Sequence, residues 1–179
     1  MPLAWTIHND ADSDLAASLQ TLSLTFPVVG KPVRGRGSHG VKVCDSKDEL
    51  VAHVEALFKE SPTVLVEEFL RGEEATVTVM PPTKEKNFYW ALAPVCRFNH
   101  QGGIAPYNGV VAVTANSRVV GPAEASHPTY SKLLQQCERV ANLLGTTAPI
   151  RIDVRRYEDS ADSDFALFDV NMKPVSKQK

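Results

Sequence analysis

The chain has 179 residues, 43% of them hydrophobic and 22% charged, with a formal net charge of -2. That is enough for one good core or two small lobes. It gives no electrostatic footprint for nucleic acid, and no apolar run approaches the roughly 20 residues of a membrane helix. No basic-then-apolar leader opens the chain, and its three cysteines, Cys44, Cys96 and Cys137, are scattered and odd in number, so a cytoplasmic, reducing setting is expected.

Trp5-Thr6-Ile7 reads as a short strand, and Leu15, Leu19 and Leu22 recur at helical spacing behind the cap-rich run Asp10–Asp14. Phe26–Pro32 reads as a strand in which Lys31 ends an otherwise apolar run. The segment Val33–Gly40 follows, with three glycines, two arginines, a serine and a histidine and no apolar face. Glycine turns let backbone N–H groups converge on an anion, and arginines add charge-assisted donors. The same composition also suits a plain hairpin loop, and no Gly-Lys-Ser/Thr opens a helix here as a Walker loop requires.

After a strand over Gly40–Cys44, Ser46-Lys47-Asp48-Glu49 spells a capping box ahead of the stripe Leu50, Val51, Val54, Leu57 and Phe58. The β-branched strand Thr63–Val66 runs into Glu67-Glu68-Phe69-Leu70-Arg71-Gly72-Glu73-Glu74, and a strand with alternating Thr76, Thr78 and Met80 succeeds it. Four glutamates in eight residues usually make a solvated turn. Beside Phe69 and Leu70 they also offer what a nucleotide needs: apolar walls, backbone groups for the base edge and an acid for the ribose.

Phe88–Phe98 reads as one strand, Asn99–Asn108 as a loop, Val110–Val113 as a short strand and Ser117–His127 as connecting loop. Pro128 then opens the longest helix, with a stripe of Tyr130, Leu133, Leu134, Cys137, Val140, Ala141 and Leu144 that Gly145 ends. Last come Ile150–Val154 and Phe168–Asn171, joined by the polar run Tyr157–Asp164 as a hairpin. Period two puts Arg151 and Asp153 on one face, and Asp169 and Asn171 on one face with Phe168, Val170 and Met172 opposite. Two carboxylates, an amide and an arginine then share a patch of sheet. It is either a seat for Mg²⁺ and phosphate or the solvated acidic face of an ordinary hairpin.

The order of these pieces carries a resemblance: a strand with Lys31, a glycine loop, a strand, a capped helix, Val64-Leu65-Val66-Glu67-Glu68-Phe69-Leu70-x-Gly72-x-Glu74, further strands, a long helix, Arg151-x-Asp153 and Asp169-x-Asn171. It resembles the ATP-grasp superfamily, most of all its D-alanine–D-alanine ligase branch, over about Phe26–Pro174. The resemblance implies an α+β fold of two lobes with antiparallel sheets enclosing a nucleotide cleft. The expected division is a lead-in over 1–25, a small lobe over 26–66 and a large lobe over 67–179.

The resemblance also implies ATP and Mg²⁺ as cofactors, small carboxylate and amine substrates, and an ADP-producing ligase working through an acyl phosphate, or the nucleotide-binding part of one. Residue by residue, it makes Lys31 the contact to the α- and β-phosphates. Gly35–Gly40, with Gly37, Ser38 and Gly40, becomes the loop over the phosphates. Glu67, Glu68, Phe69 and Leu70 become the adenine hinge and Glu74 the ribose acid. Asp153, Asp169 and Asn171 become the magnesium ligands, and Arg151 the arginine on the transferred phosphate.

The chain departs from the pattern in three places. Only about two dozen residues precede Phe26, where the resemblance leads one to expect an N-terminal substrate domain, and Met1–Thr25 has no lysine or arginine; Asp169 stands where the family has a longer glutamate; and little sequence follows Pro174, where a further segment is expected. A non-catalytic binding module, a truncated product, a separate chain supplying the missing domain, and self-association through exposed strands all follow as alternatives.

Overall fold

The computed structural model describes residues 1–10, 14–34, 38–105 and 115–172. Gly37, the strand expected at Val110–Val113 and the C-terminal lysines therefore lie outside the described residues. None of the described helices is long and apolar enough to cross a membrane. The chain forms two compact units, divided between Phe69 and Leu70; of the later described residues, 99–105 belong with the first again and 115–172 with the second.

The first unit is a four-stranded antiparallel sheet in the order β1-β4-β2-β3, built from β1 (Ala4–His8), β2 (Val28–Pro32), β3 (Lys42–Cys44) and β4 (Thr63–Glu68). Helix α2 (Lys47–Phe58) covers it, burying Leu50, Val54 and Leu57 against Val28, Val64 and Val66. Its capping box forms with a one-residue offset. Ser46 Oγ accepts from the Glu49 amide at 3.3 Å, but the Glu49 carboxylate reaches Asp45 N, at 3.1 Å, rather than Ser46 N. Helix α1 (Leu15–Gln20) starts at Asp14 and buries Leu19 alone.

The second unit is a six-stranded antiparallel sheet under the long helix α4 (Pro128–Leu144). Its main path is β10 (Phe165–Asn171), β9 (Ile150–Arg156), β5 (Glu74–Met80), β7 (Val95–Arg97) and β8 (Ser117–Val119), and β6 (Trp90–Ala91) adds to β5. Pro128 sits at the first turn of α4 and Gly145 closes it at φ 59, the left-handed conformation glycine tolerates. Tyr130, Leu133, Cys137 and Ala141 are buried on Val77, Val79, Ile150, Ile152 and Val154. Leu144, expected on the same stripe, is 51% exposed, because the helix ends there.

Two segments differ from their sequence reading. Phe88–Phe98 is two short strands rather than one, because Pro94 has no amide to give the ladder; β6 pairs with Val79–Met80 and β7 with Glu74–Thr76. Ser117–His127 is not loop throughout. It holds edge strand β8 on β7 and the short helix α3 (Pro122–Ala125), which starts on a proline after Gly121. Ser-Arg-Val has no apolar alternation, so an exposed edge strand of this kind leaves little trace in sequence.

The residues linking β4 to β5 are fixed on the end of β9. Gly72 N donates to Arg156 O at 3.1 Å, Arg71 N to Tyr157 O at 3.1 Å, and Arg156 N to Glu73 O at 2.9 Å. A Cβ on Gly72 would stand 2.2 Å from the Glu158 carbonyl oxygen and 2.6 Å from Arg156 Cβ, so the backbone would have to shift. Gly72→Ala is therefore expected to destabilise the protein by about 3 kcal/mol, the upper end for forced overpacking. A urea titration followed by circular dichroism checks it, with Gly121→Ala, where a Cβ meets nothing within 4 Å, as the neutral control.

Candidate functional site

On the face of the second sheet turned away from α4, strand register lines up polar side chains in rows. Residues directly opposite on antiparallel strands share a face, and rows two residues apart are separated by about 6.7 Å. One row is Arg97, Glu74 and Arg155, the next Thr76, Asp153 and Asp169, and the third Thr78, Arg151 and Asn171.

The middle row exists because β10 carries a bulge. Phe165 and Leu167 face the core opposite Arg156 and Val154, and strict alternation would send Asp169 and Asn171 the same way. Between Leu167 and Asp169 the register shifts by one residue, so that Asp169 pairs with Asp153 and Asn171 with Arg151. The extra residue is Phe168, and the bulge turns both polar side chains onto the outer face.

Four of the residues singled out from sequence thus come together. Asn171 Nδ2 donates to Asp153 Oδ2 at 3.2 Å and to Asp169 Oδ2 at 3.0 Å. Arg151 Nη2 donates to Asp153 Oδ2 at 3.0 Å. Thr76 Oγ1 donates to Asp153 Oδ1 at 3.0 Å. Burial pushes the Asp153 carboxyl above its ordinary range. Arg151 and the Thr76 hydroxyl pull against that shift, and the Asp169 charge adds to it.

These donors suit a magnesium ion. Two carboxylates and an amide are hard oxygen ligands, and Mg²⁺ takes one or two carboxylates and leaves its other positions to water and phosphate. The Asn171 amide now points its N–H₂ between two carboxylates, as a cation would sit; turned over, it offers oxygen instead. Arg151 also keeps a buried Nε that has no hydrogen-bond partner among the described residues, a donor for an anion.

In the row below, Arg155 Nε donates to Gly72 O at 3.0 Å and its Nη1 lies 3.9 Å from Glu74 Oε2, so the expected ribose acid has a guanidinium beside it. In the first unit, Lys31 Nζ meets Glu67 Oε2 at 2.7 Å, with side chains 19% and 11% exposed. Glu68 is turned to β1, where its Oε2 accepts from Leu3 N at 3.4 Å. Ser38 and Gly40 have positive φ, 61 and 70, and a Cβ on Gly40 would meet Leu57 at 2.8 Å. Phe69 lies against Gly103, and Leu70 is buried.

Sequence reasoning passed over three contributors. His53 Nε2 lies 3.2 Å from Gly30 O and 3.0 Å from Gly40 O, so one ring nitrogen ties β2 to the exit of the glycine loop. Thr76 looked like an ordinary strand threonine, and Arg155 had no motif to mark it. Their roles come from cross-strand neighbours, which only register reveals.

Residues 5–175 match the family model described as D-ala D-ala ligase C-terminus. The chain belongs to this family. It is 28% identical over 150 residues to a D-alanine–D-alanine ligase of Halalkalibacterium halodurans, covering 84% of this chain and 47% of that protein. It is 28% identical over 151 residues to one of Actinobacillus succinogenes, covering 84% of this chain and 45% of that protein. The chain therefore spans about half the length of the curated relatives it matches. Among solved structures, the VanG D-Ala:D-Ser ligase of Enterococcus faecalis superposes with a TM-score of 0.72 at 21% identity, over 96% of this chain and 47% of that one. The D-alanine–D-alanine ligase of Bacillus anthracis complexed with ATP does so at 0.64 and 20%, over 96% and 47%. The architecture is the α+β ATP-grasp fold of these ligases.

The chain has a second carboxylate cluster. Glu73, Cys96 and Glu124 bring possible ligand atoms within 4.8 Å of one another, beside a cavity of about 380 Å³ lined in part by Tyr130, His127 and Arg156. Its charges are already matched. Arg118 grips Glu124 through two bonds of 2.7 and 2.8 Å, Arg156 Nε lies 3.7 Å from Glu73, and the Tyr130 hydroxyl donates to Glu73. Burial pushes the Cys96 thiol up to about 11, so it is no thiolate at neutral pH. Two guanidiniums and a protonated thiol make this an internal ion-pair network rather than a cation site.

The raised Asp153 carboxyl has a consequence for stability. A group whose folded-state pKa lies above its unfolded value stabilises the fold at low pH and loses that contribution as pH rises from about the ordinary carboxylate value of 3.8. Asp153→Asn, which removes the ionisation, is expected to match the wild type near pH 3 and to become progressively more stable than it as pH rises toward 7, without metal or nucleotide. Urea unfolding at a series of pH values checks this, and an advantage confined to acid would contradict it.

Proposed function

We propose that this chain binds Mg-ATP and serves as the nucleotide-binding part of an ATP-dependent carboxylate–amine ligase. The observation carrying the proposal is the bulge-directed meeting of Asp153, Asp169 and Asn171 beside Arg151, with donors of the kind magnesium and phosphate require. The family match supports the same reading, as does the order of Lys31, the glycine loop and the Glu67–Glu74 segment.

The proposed reaction has two steps. A carboxylate oxygen of the first substrate attacks the γ-phosphorus of ATP; the bond from that phosphorus to the β,γ-bridging oxygen breaks, and ADP leaves. An amine of the second substrate then attacks the acyl carbon of the acyl phosphate, inorganic phosphate departs with the carbon–oxygen bond electrons, the nitrogen gives up a proton to solvent, and an amide remains. In such chemistry the protein contributes mainly position and fixed charge.

Lys31 would release Glu67 to meet the α- and β-phosphates, and Glu67–Leu70 would present backbone groups to the base. Glu74, steadied by Arg155, would accept from the ribose hydroxyls. Asp153, Asp169 and Asn171 would hold the metal, and Arg151 would neutralise charge on the transferred phosphoryl. Bound there, Mg²⁺ supplies charge neutralisation and alignment of the phosphate oxygens. The relatives' names make D-alanine the first substrate to try as both carboxylate and amine, and the cytoplasm, where ATP is plentiful, the expected compartment.

Binding and turnover are tested separately, because the matched relatives are about twice as long. In isothermal titration with Mg-ATP, Lys31→Ala and Asp153→Ala are each expected to weaken binding at least about tenfold, some 1.4 kcal/mol. Glu124→Gln, in the other carboxylate cluster, is expected to leave binding unchanged. Unaltered affinity in both alanine variants would contradict the site. ADP release on adding D-alanine then decides between a ligase and a module that binds without turnover.

A further inference from the structure

Asp153 lies on β9 between two neighbours that make opposite demands on its carboxylate. On the β5 side, Thr76 sits directly across and donates its hydroxyl to Oδ1 at 3.0 Å. On the β10 side, Asp169 sits directly across, and Asn171 donates to Asp153 Oδ2 at 3.2 Å and to Asp169 Oδ2 at 3.0 Å. The carboxylate is thereby oriented, with Oδ1 toward β5 and Oδ2 toward the shared acidic patch. Its side chain is 16% exposed, so no bulk water replaces a lost donor freely.

We propose that Thr76 is a positioning and specificity-determining residue that keeps Asp153 a one-oxygen ligand and so favours magnesium over calcium. The inference rests on the Mg-ATP reading above. A cation at the patch joining Asp153 and Asp169 would meet Oδ2, the oxygen that accepts from Asn171 Nδ2 at 3.2 Å and from Arg151 Nη2 at 3.0 Å, and would take the place of the amide N–H₂. For Asp153 to bind through both oxygens, Oδ1 has to swing from β5 toward β10 and give up the Thr76 hydroxyl. Magnesium keeps a tight octahedral shell and does not need that second oxygen. Calcium takes six to eight oxygens and often uses a carboxylate through both. Thr76 therefore withholds from calcium a ligand that magnesium does not use. Outer partners that orient a metal ligand commonly change affinity by about 10–100-fold when removed.

The test compares dissociation constants of Mg-ATP and Ca-ATP, by isothermal titration, for the wild type, Thr76→Val and Thr76→Ser, with thermal melts recorded alongside. Valine keeps the shape and removes the donor; serine keeps the donor. The expected result is that Thr76→Val weakens Mg-ATP about tenfold or more and Ca-ATP distinctly less, so the preference narrows, and that Thr76→Ser restores it. Equal losses for both metals in Thr76→Val, with a lowered melting temperature, would overturn the inference and leave Thr76 a structural residue. No change in either would also overturn it. A wild type that binds neither complex would overturn the nucleotide reading itself, and the inference with it.

Discussion

Two carboxylates face each other across adjacent strands, and the outer sheet face is organised around keeping them there. Asp153 and Asp169 stand directly opposite, an arrangement that repels when both are ionised. Three donors offset it: the Asn171 amide between them, Arg151 on one oxygen and Thr76 on the other. The donors do not cancel the cost of burial, since the Asp153 carboxyl stays above its ordinary range. A patch that holds negative charge at a disadvantage gains when a cation arrives. An acidic surface whose side chains simply point into water has no such gain.

The rest of the second unit supports that patch. Asp153 rides on β9, a central strand whose alternate residues Ile150, Ile152 and Val154 are buried beneath α4. Asp169 and Asn171 ride on the edge strand, where a bulge is cheap because only one neighbour has to accommodate it. At the far end of β9, Arg156 is buried on the core face, its guanidinium over the rings of Phe165 and Tyr130 and within reach of Glu73. The second carboxylate cluster is thus part of what fixes β9 and the Gly72 segment.

Much of this was legible in the amino acids. The two main helices announced themselves through Ser46, Pro128 and Gly145, and the central strands through β-branched alternation. The motifs around Lys31, Glu67–Glu74, Arg151-x-Asp153 and Asp169-x-Asn171 were visible as an order of pieces. Period two read from Phe168 set Asp169 on the polar face, but carried back to Phe165, where the strand starts, it would have buried Asp169 beside Leu167, and nothing in Phe165–Asn171 marks Phe168 as the residue to be set aside. Bulges, the pairing of Thr76 with Asp153 and the grip of His53 on Gly30 and Gly40 are settled by what lies across the sheet or beneath a helix. Strand β8 and helix α3 escaped because short edge elements bury too little to leave a pattern.

The central claim is that the acidic patch on β9 and β10, and not the cluster at Glu73 and Glu124, receives the metal of a bound nucleotide. Titrating Mn-ATP into the ¹⁵N-labelled protein and following paramagnetic loss of amide signals tests it directly. The account predicts that the earliest losses centre on Arg151–Asp153 and Asp169–Asn171, while Glu124 and its neighbours persist. Losses centred on Glu73 and Glu124, with β10 untouched, would contradict it.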